Sequence, residues 1–236
     1  PISVYIRGIG SRINTPSVGL YVDNIPYIDK SAFDFNYSDI ERIDVLRGPQ
    51  GTLYGRNAMG GLIKVHTKSP FSYQGTDFRI GAGTHNQYNT SVTHYHRMNE
   101  RFAFSAGGFY EYEGGFFRNA ALNNKKVDKG QSAGGRIRAI YLPNDNWKLD
   151  FNVSYEYGDQ GGYPYGLYNK ETGDVAKTAY NDESSYYRNL LNAGLNVEYQ
   201  AQNFTLSAVT GYQHLKDRMF LDQDFTASDT YTLEQK

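Results

Sequence analysis

The sequence predicts a small α+β element followed by an incomplete antiparallel transmembrane β-barrel. Three observations predict it. Tyr and Gly are abundant: the 236 residues hold 22 Tyr, 13 Phe and 25 Gly, so aromatics reach 15% and are mostly Tyr. Sustained period-two alternation of apolar and polar residues fills the chain after Pro70. Short and long connections alternate between those segments. The formal net charge of -1 excludes a generally basic nucleic-acid binder, because phosphate affinity needs a cationic surface. No run approaches about 18 consecutive apolar residues, so no membrane-spanning helix is predicted. With no Cys, disulfides and thiolate metal sites are excluded. The chain opens on Pro1 without a signal-peptide pattern, and the expectation is a processed or partial chain.

Residues 1–70 form the first unit, mildly basic where residues 71–236 are mildly acidic. Its apolar runs, Val4–Ile6, Gly19–Val22, Ile43–Leu46 and Leu62–Val65, have strand length and are bounded by Gly, Pro and Asn. Ser38-Asp39-Ile40-Glu41 has the Ser-x-x-Glu spacing of a capping box, which predicts one helical turn.

Residues 71–236 read as seven strands, near 77–84, 87–97, 101–112, 131–142, 147–158, 187–199 and 204–216. In the fifth, Trp147, Leu149, Phe151, Val153, Tyr155 and Tyr157 share one face, and Lys148, Asp150, Asn152, Ser154, Glu156 and Gly158 the other. The sixth sets Leu191, Ala193, Leu195, Val197 and Tyr199 against Asn192, Gly194, Asn196 and Glu198. Turns at 98–100, 143–146 and 200–203 are short, whereas loops at 113–130 and 159–186 are long; the first link, 84–86, is brief. That alternation matches a membrane barrel with periplasmic turns and extracellular loops. A strand of about 12 residues spans roughly 40 Å, and at a tilt of about 40° it crosses an apolar band about 25 Å tall. A soluble β-sandwich also alternates. The polar face here, with Arg136 and Arg138 added to the residues above, suits a wet or filled lumen better. Seven strands leave two edges that lipid does not tolerate, so more strands are expected.

At this point the first unit becomes recognisable. Ile6-Arg7-Gly8-Ile9-Gly10 and Val18-Gly19-Leu20-Tyr21-Val22-Asp23-Asn24-Ile25-Pro26 resemble the plug of TonB-dependent outer-membrane receptors. So do Ile40 through Gly55, with Leu46-Arg47-Gly48-Pro49-Gln50-Gly51 at their centre, and Ala58-Met59-Gly60-Gly61-Leu62-Ile63. The resemblance implies a plug domain at 1–70 and, at 71–236, the first seven of about 22 barrel strands. It also implies a Gram-negative outer-membrane location and active import of a scarce nutrient, with a ferric siderophore first and cobalamin, haem or an oligosaccharide as alternatives. The implied partners are the TonB complex, through a TonB box before Pro1, an extracellular small-molecule ligand, membrane lipid or lipopolysaccharide, and a surface lipoprotein; nucleic acid is not among them. No cofactor, catalytic residue or metal is expected, and the chain is not read as an enzyme.

By the resemblance, the stretch after Pro26 forms an apical loop facing the extracellular vestibule. Tyr27, Asp29, Lys30, Phe33 and Phe35 there offer rings, a cation and carboxylates to a ligand. Phe116, Phe117, Arg118, Tyr163, Tyr165 and Tyr168 in the two long loops add more. Arg47 and Arg56 are expected to contact the barrel, with partners lying partly beyond Lys236, because a buried Arg needs a carboxylate. The glycines at 55 and 60 have phosphate-loop spacing, but Gly61-Leu62 stands where Lys-Ser/Thr is required, and that reading fails. His94 and His96 share a strand face without a third ligand, which makes them interface or lumen histidines. Two other classes compete: a passive porin or adhesin, for which the plug blocks are superfluous, and a soluble sugar-binding β-domain, which would not need a membrane.

Overall fold

In a computed structural model of the chain, residues 18–27, 40–48, 60–115, 129–161, 185–222 and 232–235 are described, and they form two sheets. The first sheet contains β1 (Val18–Val22), β2 (Ile25–Tyr27), β3 (Ile40–Arg47) and β4 (Gly61–Thr67), in the order β2-β1-β4-β3. Asp23 and Asn24 turn β1 into β2 with φ of 48° and 66°, the left-handed pair that a two-residue hairpin demands and that Asp and Asn tolerate. β1 then lies parallel to β4, from Val18 opposite Gly61 to Val22 opposite Val65. Val18, Leu20, Val22, Ile25, Tyr27 and Val65 bury together, with Ile40 and Ile63 packed against them. Parallel pairing buries both faces of β1, which explains why its sequence is a near-continuous apolar run.

Two expectations for this unit are corrected. Tyr27 belongs to β2 and to this apolar cluster, 7% exposed, rather than to a climbing loop. Ile40 and Glu41 begin β3 instead of a helical turn, and no helix occurs among the described residues. The physical reason is the ladder to β4. Ile40 pairs with Thr67 and Arg42 with His66, so Glu41 is the extra residue of a β-bulge. Ser38, Asp39 and the run Val4–Ile6 lie outside the described residues.

The second sheet is an antiparallel meander of eight strands. They are β5 (Gly75–Gly83), β6 (Gln87–Arg97), β7 (Phe102–Glu113), β8 (Gly130–Tyr141), β9 (Trp147–Gly161), β10 (Ser185–Gln200), β11 (Thr205–Asp222) and β12 (Thr232–Gln235). Seven match the sequence reading; β12 was not anticipated, and β11 runs several residues past 216. The short turns are built by asparagine side chains. Asn99 Oδ1 accepts from the backbone N–H groups of Arg101 and Phe102 at 2.8 and 2.9 Å. Asn144 Oδ1 does the same for Asn146 and Trp147 at 2.9 and 3.1 Å. Such Asx turns fix a tight reversal without glycine.

The period-two pattern sorts the sheet into two faces. Facing inward are Thr93, Tyr95, Ser105, Arg138, Asp150, Asn152, Ser154, Arg188 and Asn192, all buried. Facing outward are Phe78, Ile80, Val92, Ile137, Phe151 and Leu206, all exposed. Two aromatic belts bound that apolar band. On the short-turn rim, Trp147 and Tyr199 lie 4.8 Å apart, and Phe102, Phe104 and Phe204 continue the belt. On the long-loop rim, Tyr88 stacks on Tyr112, while the Tyr110 and Tyr155 hydroxyls donate to Gln131 and Asn189. About ten residues along β9 separate Trp147 from Tyr157, roughly 25 Å at a tilt of about 40°, which is the height of a membrane's apolar band. His94 and His96 stack at 6.0 Å on the outward face, near the short-turn belt.

Adjacent residues of β11 test this sorting. Thr210 pairs with outward-facing Leu195, and Val209 with inward-facing Asn196. Thr210→Arg, within the band, should cost about 2–4 kcal/mol in a urea titration of the full-length protein refolded in lipid vesicles. Val209→Arg should cost less than about 1 kcal/mol by the same measurement, because its side chain reaches the lumen. Equal costs would contradict the assignment of faces.

Candidate functional site

The first sheet meets the barrel wall at the turn between β1 and β2. Asp23 is 5% exposed and receives donors from both sides. From β4, the Thr67 backbone N–H donates to Oδ1 at 2.9 Å and the Thr67 hydroxyl to Oδ2 at 2.6 Å. From β8 on the wall, Arg136 Nη2 donates to Oδ2 at 2.5 Å, and Arg138 Nη1 lies 3.7 Å away. Arg138 is itself held by a two-point contact with Asp150 on β9, Nε to Oδ1 at 3.0 Å and Nη2 to Oδ2 at 2.7 Å. Its third nitrogen reaches the Thr67 hydroxyl at 3.1 Å. Two carboxylates and two guanidiniums thus form a neutral, buried quartet across the contact. Higher on the same wall, Arg188 pairs with Glu156 at 2.7 Å.

Local sequence explains each placement. Arg136 and Arg138 are two apart on one strand, so both point into the lumen, and Asp150 faces the same way from the next strand, where it pairs with Ile140. Asp23 occupies a turn position that its conformation suits, and its backbone N–H donates to Val65 at 2.9 Å. Burial alone would push the Asp23 carboxyl up. The guanidiniums of Arg136 and Arg138 and the two Thr67 hydrogen bonds outweigh that cost and hold it below the usual carboxylate range.

A steric fit accompanies the charges. Gly194 on β10 faces Gly211 on β11, and Ile25 of β2 rests on this pair. A Cβ on Gly194 would meet Ile25 side-chain carbons at 2.6, 2.8 and 2.9 Å, and one on Gly211 would meet Ile25 at 3.3 Å. Beside the quartet lies a polar cavity of about 250 Å³, lined by Glu41, His66, Lys148 and Glu198 among others. Its position near Lys148 and Glu198 is toward the short-turn rim.

Of the sequence-derived candidates, Tyr27 is buried in the apolar cluster and Arg47 is exposed at the end of β3. Asp29, Lys30, Phe33, Phe35, Arg56, Phe116, Phe117, Arg118, Tyr163, Tyr165 and Tyr168 lie outside the described residues. The contact that is described runs with the opposite polarity to the one expected, from a carboxylate on the first sheet to guanidiniums on the wall. Arg136 and Arg138 were legible as lumen-facing cations. Asp23 carried only the turn signal, and nothing in the sequence paired residues 113 positions apart.

A small mixed sheet seated on the polar inner face of a membrane barrel defines the class: a plugged outer-membrane β-barrel. The family model of the TonB-dependent receptor plug domain matches residues 2–62. The pesticin receptor of Yersinia pestis is 26% identical over 158 residues, 65% of this chain and 23% of its own length. The vitamin B12 transporter BtuB of Vibrio vulnificus is 31% identical over 186 residues, covering 70% and 28%. The crystal structure of the ferric yersiniabactin uptake receptor FyuA from Yersinia pestis superposes with a TM-score of 0.74 at 20% identity, covering 87% of this chain and 33% of that one. The chain belongs to the TonB-dependent outer-membrane receptors, and it spans about a quarter of the length of the curated relatives it matches.

Two outcomes follow from the contact. Asp23→Asn removes the charge that two guanidiniums share and should weaken plug seating by about 3 kcal/mol, read as faster amide exchange across β1 and β2. Because the folded carboxyl titrates below its unfolded value of about 3.9, the wild-type contribution is complete above that value. It is lost as pH falls through the lower folded value, so protection should be flat from about pH 8 to 5, decline only in strong acid, and show no such decline in the Asn variant. Separately, Gly194→Ala should raise exchange in β2, and the added change Ile25→Ala should restore protection. Failure of that rescue would place the clash elsewhere.

Proposed function

We propose that this chain forms part of a TonB-dependent importer, and that its cargo is a ferric siderophore. The observation that carries the reading is the way the plug is held. Its contact with the wall is an ion-pair and hydrogen-bond lattice around Asp23, while the apolar cluster stays within the plug's own strands except where Ile25 rests on Gly194 and Gly211. Polar contacts of this kind break and re-form stepwise against water, which suits a plug drawn aside by a periplasmic pull. A passive porin has no use for such a seat.

In this reading ligand capture falls to Asp29, Lys30, Phe33 and Phe35 after β2, and to Phe116, Phe117, Arg118, Tyr163, Tyr165 and Tyr168 between the barrel strands. Aromatic faces and cations together match the rings and negative charge of a ferric siderophore. Tyr27 enters as the packed base of that stretch, and Arg47 and Arg56 as further plug–barrel contacts. TonB is the energy-supplying partner. Support for the cargo comes from the similar proteins, among which a ferric yersiniabactin uptake receptor and a vitamin B12 transporter both occur.

The test is uptake of radiolabelled ferric siderophore and of cobalamin, each in cells whose only outer-membrane receptor is the full-length protein. Ferric siderophore should accumulate, and deletion of TonB should abolish accumulation while leaving surface binding intact. Cobalamin uptake in place of iron would change the cargo and keep the mechanism. Undiminished uptake without TonB would overturn the mechanism.

A further inference from the structure

Between β4 and β5 the chain is built rather than slack. Lys68, the first residue after β4, donates from Nζ to Asp77 Oδ2 on β5 at 2.8 Å. The Tyr73 hydroxyl donates to the other oxygen of the same carboxylate, and Lys68 Nζ lies 4.6 Å from the centre of the Tyr73 ring. That ring meets Tyr95 of β6 edge-on at 4.9 Å, and Tyr95 is fully buried. Two positions further along β6, the Arg97 guanidinium lies over the Phe71 ring at 5.6 Å. Asp77 pairs with Thr93, so Asp77, Thr93, Tyr95 and Arg97 all face inward. Residues 68–74 therefore lie against the lumen side of the first two barrel strands, near the short-turn rim.

The segment also closes on itself. The Ser69 carbonyl accepts from the N–H groups of Ser72 and Tyr73 at 3.2 and 2.9 Å, Gln74 Nε2 donates to the Phe71 carbonyl at 2.7 Å, and Pro70 is fully buried. A spacer needs none of this, since a flexible link keeps the backbone entropy that such ordering gives up. The construction has a mechanical consequence. Without side-chain contacts, tension along β4 would straighten the segment and arrive at Gly75, which joins β5 at a kink with φ of 123°. Gly75 pairs with Tyr95 at the end of the β5–β6 ladder, where fewest neighbours share a load. With Lys68 on Asp77, tension enters β5 two ladder pairs further in, and Tyr73 passes part of it to β6 through Tyr95.

We propose that Lys68, Tyr73 and Asp77 form a load-bearing clasp, which stops a pull on the plug from being transmitted to the end of the first barrel strand. The clasp rests on the reading of a plug drawn toward the periplasm, and it concerns what keeps the barrel intact while that happens. Its chemistry suits the task. One carboxylate holds two donors, one of them charged, and the cation is also held by the ring that supplies the second donor. The seat at Asp23 differs in that it adjoins a polar cavity, whereas the clasp is backed by the buried rings and proline of its own segment and of β6. The plug is thus joined to the wall by one contact suited to release and another suited to retention.

The experiment pulls the full-length protein, embedded in a lipid bilayer, from its N-terminus by force microscopy and reads the length of chain freed before extension halts. In the wild type the halt should fall at Lys68. Lys68→Gln with Tyr73→Phe, which keeps the shapes and removes the donors, should move the halt to β5. That shift is about nine residues, at most roughly 30 Å of extended chain. Exchanging the charges, Lys68→Glu with Asp77→Lys, should return the halt to residue 68. Arg101→Gln, which breaks an exposed pair with Asp145 on the same rim, should leave it in place. A halt at the same length in the wild type and the Gln/Phe variant overturns the proposal. So does a shift that the exchanged pair fails to reverse, because packing rather than the clasp would then hold the segment. The instrument supplies the pull, so failure here leaves the uptake assay standing, and uptake without TonB would leave this result standing.

Discussion

The carboxylate of Asp23 is the constraint from which the described structure can be read. A buried charge must be compensated within a few ångströms, and here compensation comes from two separate sheets. Thr67 supplies it from within the plug, Arg136 and Arg138 from the wall. Satisfying both at once fixes the turn conformation between β1 and β2, the height of β4 against β8, and the distance of the plug sheet from the barrel. Asp150 completes the arrangement by neutralising Arg138, the second guanidinium beside Asp23. Removal of any member strands its partner, so the four act as a unit.

The polar lumen that makes this possible is a consequence of the strand period. A barrel strand must present apolar residues to lipid at every second position, which leaves the alternate positions to whatever fills the interior. In β9 that rule gives Phe151, Val153 and Tyr155 outward and Asp150, Asn152 and Ser154 inward. A plug that rests on such a wall cannot share an apolar core with it. The exception is local: Ile25 belongs to the plug's own cluster and reaches the wall only where Gly194 and Gly211 withdraw their side chains. Shape at one point and charge at another therefore orient the plug without gluing it.

Much of this was legible in the sequence, and what escaped has a physical reason. The seven long strands were readable because each alternates by itself, and the Asn-rich reversals because the turn-making interaction spans only two or three residues. The apolar run of β1 was visible, but its parallel pairing with β4 was not, since that depends on a crossover rather than on local pattern. The capping-box spacing at Ser38–Glu41 misled because the β4 ladder competes for the same backbone and absorbs Glu41 as a bulge. Arg136 and Arg138 announced a charged lumen; their partner on the plug did not announce itself. A turn Asp looks the same whether its carboxylate caps its own backbone or bridges two sheets.

The strength of the plug–wall contact follows from its chemistry. Bringing four charges out of water costs nearly as much as their mutual attraction returns, so a buried ionic lattice contributes little net stability for its size while enforcing position strictly. An apolar interface of similar extent would behave in the opposite way, yielding stability in proportion to area and resisting separation all at once. The lattice also fails differently. As Asp23 moves away, water can enter from the adjacent polar cavity beside Arg138 and Asp150 and solvate each group as it is uncovered. Each released hydrogen bond is then exchanged for one to water, and the barrier to displacement is spread over several small steps. A plug seated this way is held in register at rest and can still leave its seat under a modest directed force.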